Sequence, residues 1–495
     1  MPTAIARRTL CALALLPLLG ATSNSLRAQT PTASERSLSL EDAIARALTR
    51  GPAAKSAGLD RDAARWRDRS FNARLLPQLS LSGDVPVYSR AIIPVVQPDG
   101  TTRFVPNQQR SSALAMTARQ RLPFTGGDLF VSTGVSNVNI LGTQQTNLWR
   151  GTPFQVGVSQ QLFRPRGLIW DAREQDLRTD VAERAYLEAR EDIAQQTSNL
   201  FFELYAARAT LANAVVNASA NDTLFRLNKG RFEVGRIGEN DLLQSELSLL
   251  RARAALDGAK LAADRAAATL RVQLDFASDA PLELRVTNAV PRVTIDTIAV
   301  VKRALENASQ SRGRELQDVQ QRRRVNEAKR NTGFAATVNA SVGFNQTAQT
   351  FSESFRTPLQ SQQFAVGVEM PVLQWGARHA QIEAAQADLA RVQTDIRTAR
   401  ENQVQEALYA ALGLAQAERN LEIAAKADSV GAKRFEVARN RYAIGRIDFG
   451  NLAIAQTEKD QALQEYLRSL SGYWSSYYRL RRLTLWDFAK DAPLR

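Results

Sequence analysis

The chain has 495 residues, 44% of them hydrophobic, and a formal net charge of +14 at pH 7 with a pI near 10.2. That is apolar enough for a sizeable core, yet no run reaches the roughly 18 apolar residues of a membrane-spanning helix. A single histidine and a single cysteine leave no His/Cys cluster with metal spacing, and no Gly-rich phosphate loop of the Walker type is present. The histidine, His379, reads as a surface or capping residue where a helix begins. The paired acids Glu191 and Asp192 fall on a charged helix face, with no apolar pocket to shift their pKa. No catalytic residue, cofactor or metal site is therefore expected, and the chain is not read as an enzyme.

In chain order, residues 1–28 read as a signal peptide. Arg7 and Arg8 form a basic start, Leu10 to Leu19 a short apolar stretch, and Leu26-Arg27-Ala28 a cleavage region. Three charges belong to this segment, which leaves +11 of the +14 for the mature chain. Cys11 lies inside the apolar stretch, so the mature chain would have no cysteine and no disulfide. Residues 29–37 are polar and are expected to be disordered. Ser39 with Asp42 is a near capping box that opens a helix. Gly51-Pro52 breaks it, and a second helix is expected from Ala53 to Leu75.

The pattern then changes to period two. Pro77 to Gly83, Ala113 to Leu122, Asp128 to Ile140 and Phe154 to Ser159 alternate apolar with polar or small residues. Gly-rich turns such as Pro123-Phe124-Thr125-Gly126-Gly127 favour hairpins between them. From about Leu168 the period is helical for roughly 60 residues, about 90 Å of helix. Ala185, Ala189, Ile193, Leu200, Leu204 and Leu211 recur at four and seven, the spacing of a coiled-coil seam. A return helix carries Leu243, Leu247, Leu250, Ala254 and Leu261.

The reversal between these helices occurs twice. Arg231, Phe232, Gly235, Arg236, Ile237, Asp241 and Leu242 correspond to Arg441, Tyr442, Gly445, Arg446, Ile447, Asn451 and Leu452 at an offset of 210. Repeats set the fold and are sought first. The second half replays the order: short helices at 293–305 and 312–330, alternation at 337–344 and 364–369, and a long helix from about Ala377 with Val404, Leu408, Ala411 and Ala415. Its return partner carries Leu463, Leu467, Leu470, Trp474 and Tyr477. This organises the chain as a first repeat at 38–280 (strands about 77–163, long helices about 168–277), a linker at 281–292, a second repeat at 293–488 (strands about 334–373, long helices about 377–486) and a tail at 489–495.

Strands with one apolar and one polar face suit lipid outside and water inside. A sheet in hydrocarbon must close, because every backbone N–H and C=O there needs a partner. Two hairpins cannot close a wide barrel, so several chains must share one. Phe154, Phe163, Phe364 and Trp375 sit near strand ends, where an aromatic girdle would lie.

On this duplicated order and the two tips in register, residues Leu38 to Trp486 resemble the TolC-like outer membrane efflux proteins. The resemblance implies a mixed α/β membrane protein made of two tandem structural repeats. It implies a homotrimer in which each protomer gives four strands to one β-barrel, continued by a periplasmic α-helical coiled-coil barrel. It implies residence in the outer membrane of a Gram-negative-type envelope and contact with its lipid. It implies passive conduction, with a periplasmic adaptor (membrane fusion) protein docked at the tips and an inner-membrane pump reached through the adaptor.

The tip residues also have a reading of their own. Gly235 and Gly445 suit a left-handed residue at a helix end. Arg231, Arg236, Arg441 and Arg446 place cations near that negative end of the helix dipole. Ile237, Leu242, Ile447 and Leu452 offer apolar surface for docking. In the resembled family carboxylates ring the periplasmic entrance. Here Asn451 stands at the position often acidic, so Asp448 is the residue expected there.

The longer strand region of the first half either projects outside the cell or adds barrel strands; the sequence leaves both open. Two other classes share part of this pattern. A soluble periplasmic coiled-coil scaffold would share the helices. A basic nucleic-acid-binding helical protein would need a clustered stripe with aromatics, whereas Arg322-Arg323-Arg324 is brief. Arginines elsewhere alternate with acids, as in Glu188-Ala189-Arg190-Glu191-Asp192, which reads as a solvated helix face, so no nucleic-acid partner is expected.

Overall fold

The computed structural model describes residues 37–141, 145–277, 282–286, 290–291 and 293–494. The expected signal peptide, nearly all of the polar segment after it and part of the linker lie outside the described residues.

Eight helices are described: α1 (Leu40–Arg50), α2 (Pro52–Arg74), α3 (Gly167–Glu233), α4 (Glu239–Leu274), α5 (Thr297–Asn307), α6 (Ser309–Asn331), α7 (Ala377–Ala443) and α8 (Phe449–Thr484). Their lengths match pair by pair, 11, 23, 67 and 36 residues in each half. Sixty-seven residues span ~100 Å. Local chemistry explains the boundaries. The Ser39 hydroxyl accepts from the Asp42 amide at 3.1 Å and caps α1. Pro52 opens α2, at a position where its missing N–H costs nothing.

The helices form a wall four elements wide at two levels. In the lower half the order is α4–α3–α8–α7; in the upper half it is α2–α3–α6–α7. The short helices α1 and α5 lean on the wall between these levels. There the main core gathers: Ala43, Ala47, Phe201, Leu204, Leu270, Leu274, Ala407, Ala411, Leu470 and Tyr473 are all buried. Alanine at the contacts lets the long helices approach closely. Aromatic rings fill the remaining gaps, with Trp474 stacked on Phe202 at 6.4 Å between centroids.

The leucine stripe of α4 does not face α3. Leu243, Leu247, Leu250 and Leu261 of α4 are exposed, as are Tyr409, Ile423, Val430 and Val437 of α7. What α4 buries against α3 is its alanine-rich face, including Leu249, Ala259, Ala263, Ala266 and Leu270. Period seven identifies residues that share a stripe; it does not say which helix the stripe meets. Both outer stripes lie on the two edge helices of the wall.

Above the helices stands one antiparallel sheet. Its strands are β1 (Gln78–Val96), β2 (Thr102–Arg121), β3 (Asp128–Leu141), β4 (Thr146–Leu162), β5 (Ala335–Ala348) and β6 (Leu359–Glu369), paired in sequence order. The described sheet thus has six strands, four from the first half and two from the second. The first half supplies four strands because its additional hairpin pairs within the sheet along the whole of β3, from Gln108↔Leu141 to Arg121↔Asp128. A small hairpin, β7 (Trp486–Asp487) with β8 (Ala492–Pro493), ends the described chain.

The two faces of the sheet differ in chemistry across all six strands. One transverse row runs Ser80, Thr117, Ser132, Gln155, Gly343, Ser361. The adjacent rows on the other face run Leu79, Ala118, Val131, Val156, Val342, closing on Gln362 of β6, and, in the later strands, Val158, Ala340, Phe364. Leu79 and Phe364, at the two edges, are 69% and 73% exposed. The polar face is knitted by side chains: Gln155 Nε2 donates to the Ser341 hydroxyl at 3.2 Å. Among the described residues no helix is long and apolar enough to cross a membrane.

Candidate functional site: helix tips and the seam above them

At the lower end each long helix reverses in the same way. Gly235 has φ +71° and Gly445 φ +72°. The Arg236 amide donates to the Arg231 carbonyl at 2.8 Å, and the Arg446 amide to the Arg441 carbonyl at 2.9 Å. These bonds satisfy the last carbonyls of α3 and α7, as a left-handed glycine cap does. The left-handed residue is the reason for glycine. Gly445→Ala is expected to lower the stability of the α7–α8 tip by about 1 kcal/mol. Gly258→Ala, inside α4 with open space around it, is expected to gain a similar amount; hydrogen exchange at the tip and thermal unfolding separate the two.

The two tips differ in packing. In the second, Tyr442, Phe449 and Leu452 are buried together, with Leu224, Phe435 and Ile447 against them. The Tyr442 hydroxyl donates to Asn228 Oδ1 of α3 at 2.9 Å, and Arg231 lies 5.6 Å from the Tyr442 ring. Tyr442 and Leu452 therefore serve the chain's own packing, although the sequence pattern grouped them with docking residues. Phe232, Arg236 and Asp241 of the first tip are exposed, as are Arg441, Arg446 and Asn451 of the second, while Ile237, Leu242 and Ile447 are half-buried. Asp448 is exposed and caps α8: its Oδ1 accepts from the Asn451 amide at 2.7 Å and its Oδ2 from Asn451 Nδ2 at 3.0 Å.

Sequence reasoning missed two apolar residues at the apices. Val234 and Ile444 each precede the capping glycine, and each is 68% exposed. The signal was available, since both follow directly from the glycine position. It also missed a polar seam between α3 and α8. Asp460 accepts from Asn213 Nδ2 at 2.6 Å and from Asn217 Nδ2 at 3.0 Å. Lys459 Nζ donates to Asn213 Oδ1 at 2.7 Å, and Gln464 Nε2 to the Thr210 hydroxyl at 2.7 Å. A cleft of about 420 Å³ opens beside these groups. The spacing of Asn213, Asn217 and Asn221 by four was the only hint.

Electrostatics here hold helices together. Hydrogen bonds from Arg226 keep the Asp222 carboxyl below its ordinary pKa, and Arg253 ties it to α4 at 3.1 Å. Burial pushes Asp428 of α7 above its ordinary value, with Lys459 pulling the other way. Among the described residues no group of His, Cys, Asp and Glu could hold a metal ion. The arrangement presents an exposed surface at the tips and a polar seam between α3 and α8.

Comparison with solved structures decides the architecture. The chain matches the Campylobacter jejuni CmeC outer membrane channel over 92% of its length and 86% of that chain, with a TM-score of 0.66 and 15% identity. It matches the Vibrio cholerae outer membrane protein VceC over 92% of its length and 97% of that chain, at TM-score 0.63 and 12% identity. The open state of the Neisseria gonorrhoeae MtrE outer membrane channel matches over 90% and 88%, at 0.61 and 14%. The chain has the TolC-like outer membrane channel fold. No known family profile matches the chain, and no curated protein matches it by sequence. In this channel fold the likeness spans both the strand and the helical levels. At such low identity the likeness rests on the arrangement of the elements.

Proposed function

We propose that the chain is the outer-membrane duct of an efflux or secretion assembly, resident in the outer membrane with its helices in the periplasm. One observation carries this reading: a single sheet, apolar on one face and polar on the other, stands on a helical wall, and both sheet edges are unpaired among the described residues. Among the described residues the outer edges of β1 and β6 have no strand beside them, and hydrocarbon does not tolerate backbone groups without partners. The helical wall has the same incompleteness, with apolar stripes on α4 and α7 exposed among the described residues. Identical copies set side by side complete both levels at once. The two halves, with paired helix lengths, act as tandem repeats, and three copies close the ring. The likeness to channel structures supports passive conduction in place of bond chemistry.

The tips carry the docking role. Arg236, Ile237, Arg446 and Ile447, with Val234 and Ile444 at the apices, present a mixed basic and apolar surface to a periplasmic adaptor, which links the duct to an inner-membrane pump. Asp448 stands at the entrance while it caps α8.

The test is direct. The mature chain is expected to fractionate with outer membranes, to require detergent for extraction as an oligomer, and to conduct ions in a planar lipid bilayer. A chain that is single-copy in detergent-free buffer and leaves bilayers silent would overturn the reading.

A further inference from the structure

Resting on that multi-copy reading, we propose that all six strands of each copy enter the barrel wall, so that a three-copy ring closes with eighteen strands over a helical tunnel of twelve helices. The copy-to-copy seam then joins β1 of one copy to β6 of the next.

Four observations on this chain carry the proposal. First, the additional hairpin belongs to the wall. The turn between β2 and β3 lies at the helical end of the sheet, where Gln160 Nε2 donates to the Thr125 carbonyl at 3.0 Å and Gln120 Nε2 to the Leu75 carbonyl at 2.5 Å. Both strands thus rise from the foot of the sheet, and β2 continues six residues beyond its last pair with β3. Secondly, the apolar and polar rows described above cross β1, β2 and β3 without a break. A hairpin standing free in water outside the cell has no use for an apolar face in register with its neighbours.

Thirdly, the widths agree. Strand order β1–β4–β5–β6 follows the upper helix order α2–α3–α6–α7 through the chain connections, with β2 and β3 inserted between the first two. A strand tilted by ~40° occupies ~6 Å of circumference, so six strands take ~38 Å. Four helices at ~9–10 Å take nearly the same.

Fourthly, the sheet has the stagger of a closed barrel. Following the register across, Ser80 lies two residues above the foot of β1 and its row ends at Ser361, eight residues above the foot of β6. A drift of six residues over five strand steps corresponds to a tilt of ~40°, within the range of closed barrels. The two edges run in opposite directions, so they can join as one more antiparallel pair. Pro86 does not block this, because it falls where the β1–β2 register shifts, between Asp84 and Val87. The run from Gln78 to Val85 has no proline and can donate along the seam.

The consequence is a bore ~1.5-fold wider at the outer membrane than a twelve-stranded ring, since diameter grows with strand number. The membrane ring is then about as wide as the tunnel beneath it.

Cysteine pairs test the seam in a chain whose only natural cysteine is Cys11. Ser80→Cys and Ser82→Cys, each combined with Ala365→Cys, are expected to give disulfide-linked ladders of two and three chains on oxidation in outer membranes. Ser132→Cys with Ala365→Cys is the control and is expected to give none. Electron microscopy of the detergent-extracted particle is expected to count eighteen strands. An oligomer that links through Ser132→Cys, or that shows twelve strands, overturns the six-strand wall and leaves the duct reading intact. A chain that stays single in buffer overturns both.

Discussion

Acidic substitution of the α4 edge, Leu247→Glu with Leu250→Glu, is expected to abolish assembly while the single chain still folds. Both leucines are exposed within the chain, so the substitution touches none of its own core. Surface changes of this kind ordinarily shift stability by about 0.5 kcal/mol or less. In the proposed ring the same stripe meets the α7 edge of the next copy, where Ile423, Val430 and Val437 recur on sevens. An unpaired carboxylate sealed into an apolar helix seam costs about 3–5 kcal/mol, and each ring carries that cost at every copy-to-copy seam. Light scattering in detergent is expected to fall from an oligomer to one copy, with helical circular dichroism unchanged and bilayer conductance lost. An intact oligomer from the double variant would show that α4 is not a seam.

The second large effect lies inside the chain. Arg481→Met is expected to destabilise the fold by about 3–5 kcal/mol, because it strands two buried carboxylates. Arg481 Nε and Nη2 meet the two oxygens of Glu191 at 2.8 and 3.0 Å, and Nη1 meets Asp487 at 3.3 Å. The cluster ties α3, α8 and the terminal β7–β8 hairpin at the level of the main core. Burial alone would lower the Arg481 pKa, but Glu191 and Asp487 outweigh it and hold the guanidinium above its ordinary value. Burial also pushes the Glu191 carboxyl up, against the pull of Arg481. The pair is thus desolvated on both sides, and replacing both partners with apolar groups removes that cost. E191L/R481M is expected to recover most of the loss, since Asp487 keeps its bonds from the Ala489 and Lys490 amides at 3.0 and 3.2 Å. Thermal unfolding of the single and double variants measures this directly. A single variant as stable as the native chain would mean that the cluster holds nothing.

Glu191 also shows where sequence reading stops. Beside Asp192 it reads as one more acid on a solvated helix face. Its burial follows from Arg481, 290 residues away in the chain. The polar seam of Asp460 with Asn213 and Asn217 is hidden for the same reason.

What the sequence determined by itself was local. Helix starts at Ser39 and Pro52, the left-handed glycines at 235 and 445, the alternation of the strands and the great length of α3 and α7 all follow from neighbours a few residues apart. Backbone geometry and side-chain period act at that range. Only the tertiary structure decided which stripe met which helix, that Tyr442 and Leu452 turned inward, and that the additional hairpin of the first half paired into the same sheet as the other strands. Those outcomes depend on pairing between segments distant in the chain. A strand's alternation records that one face is apolar, but not which strand lies beside it.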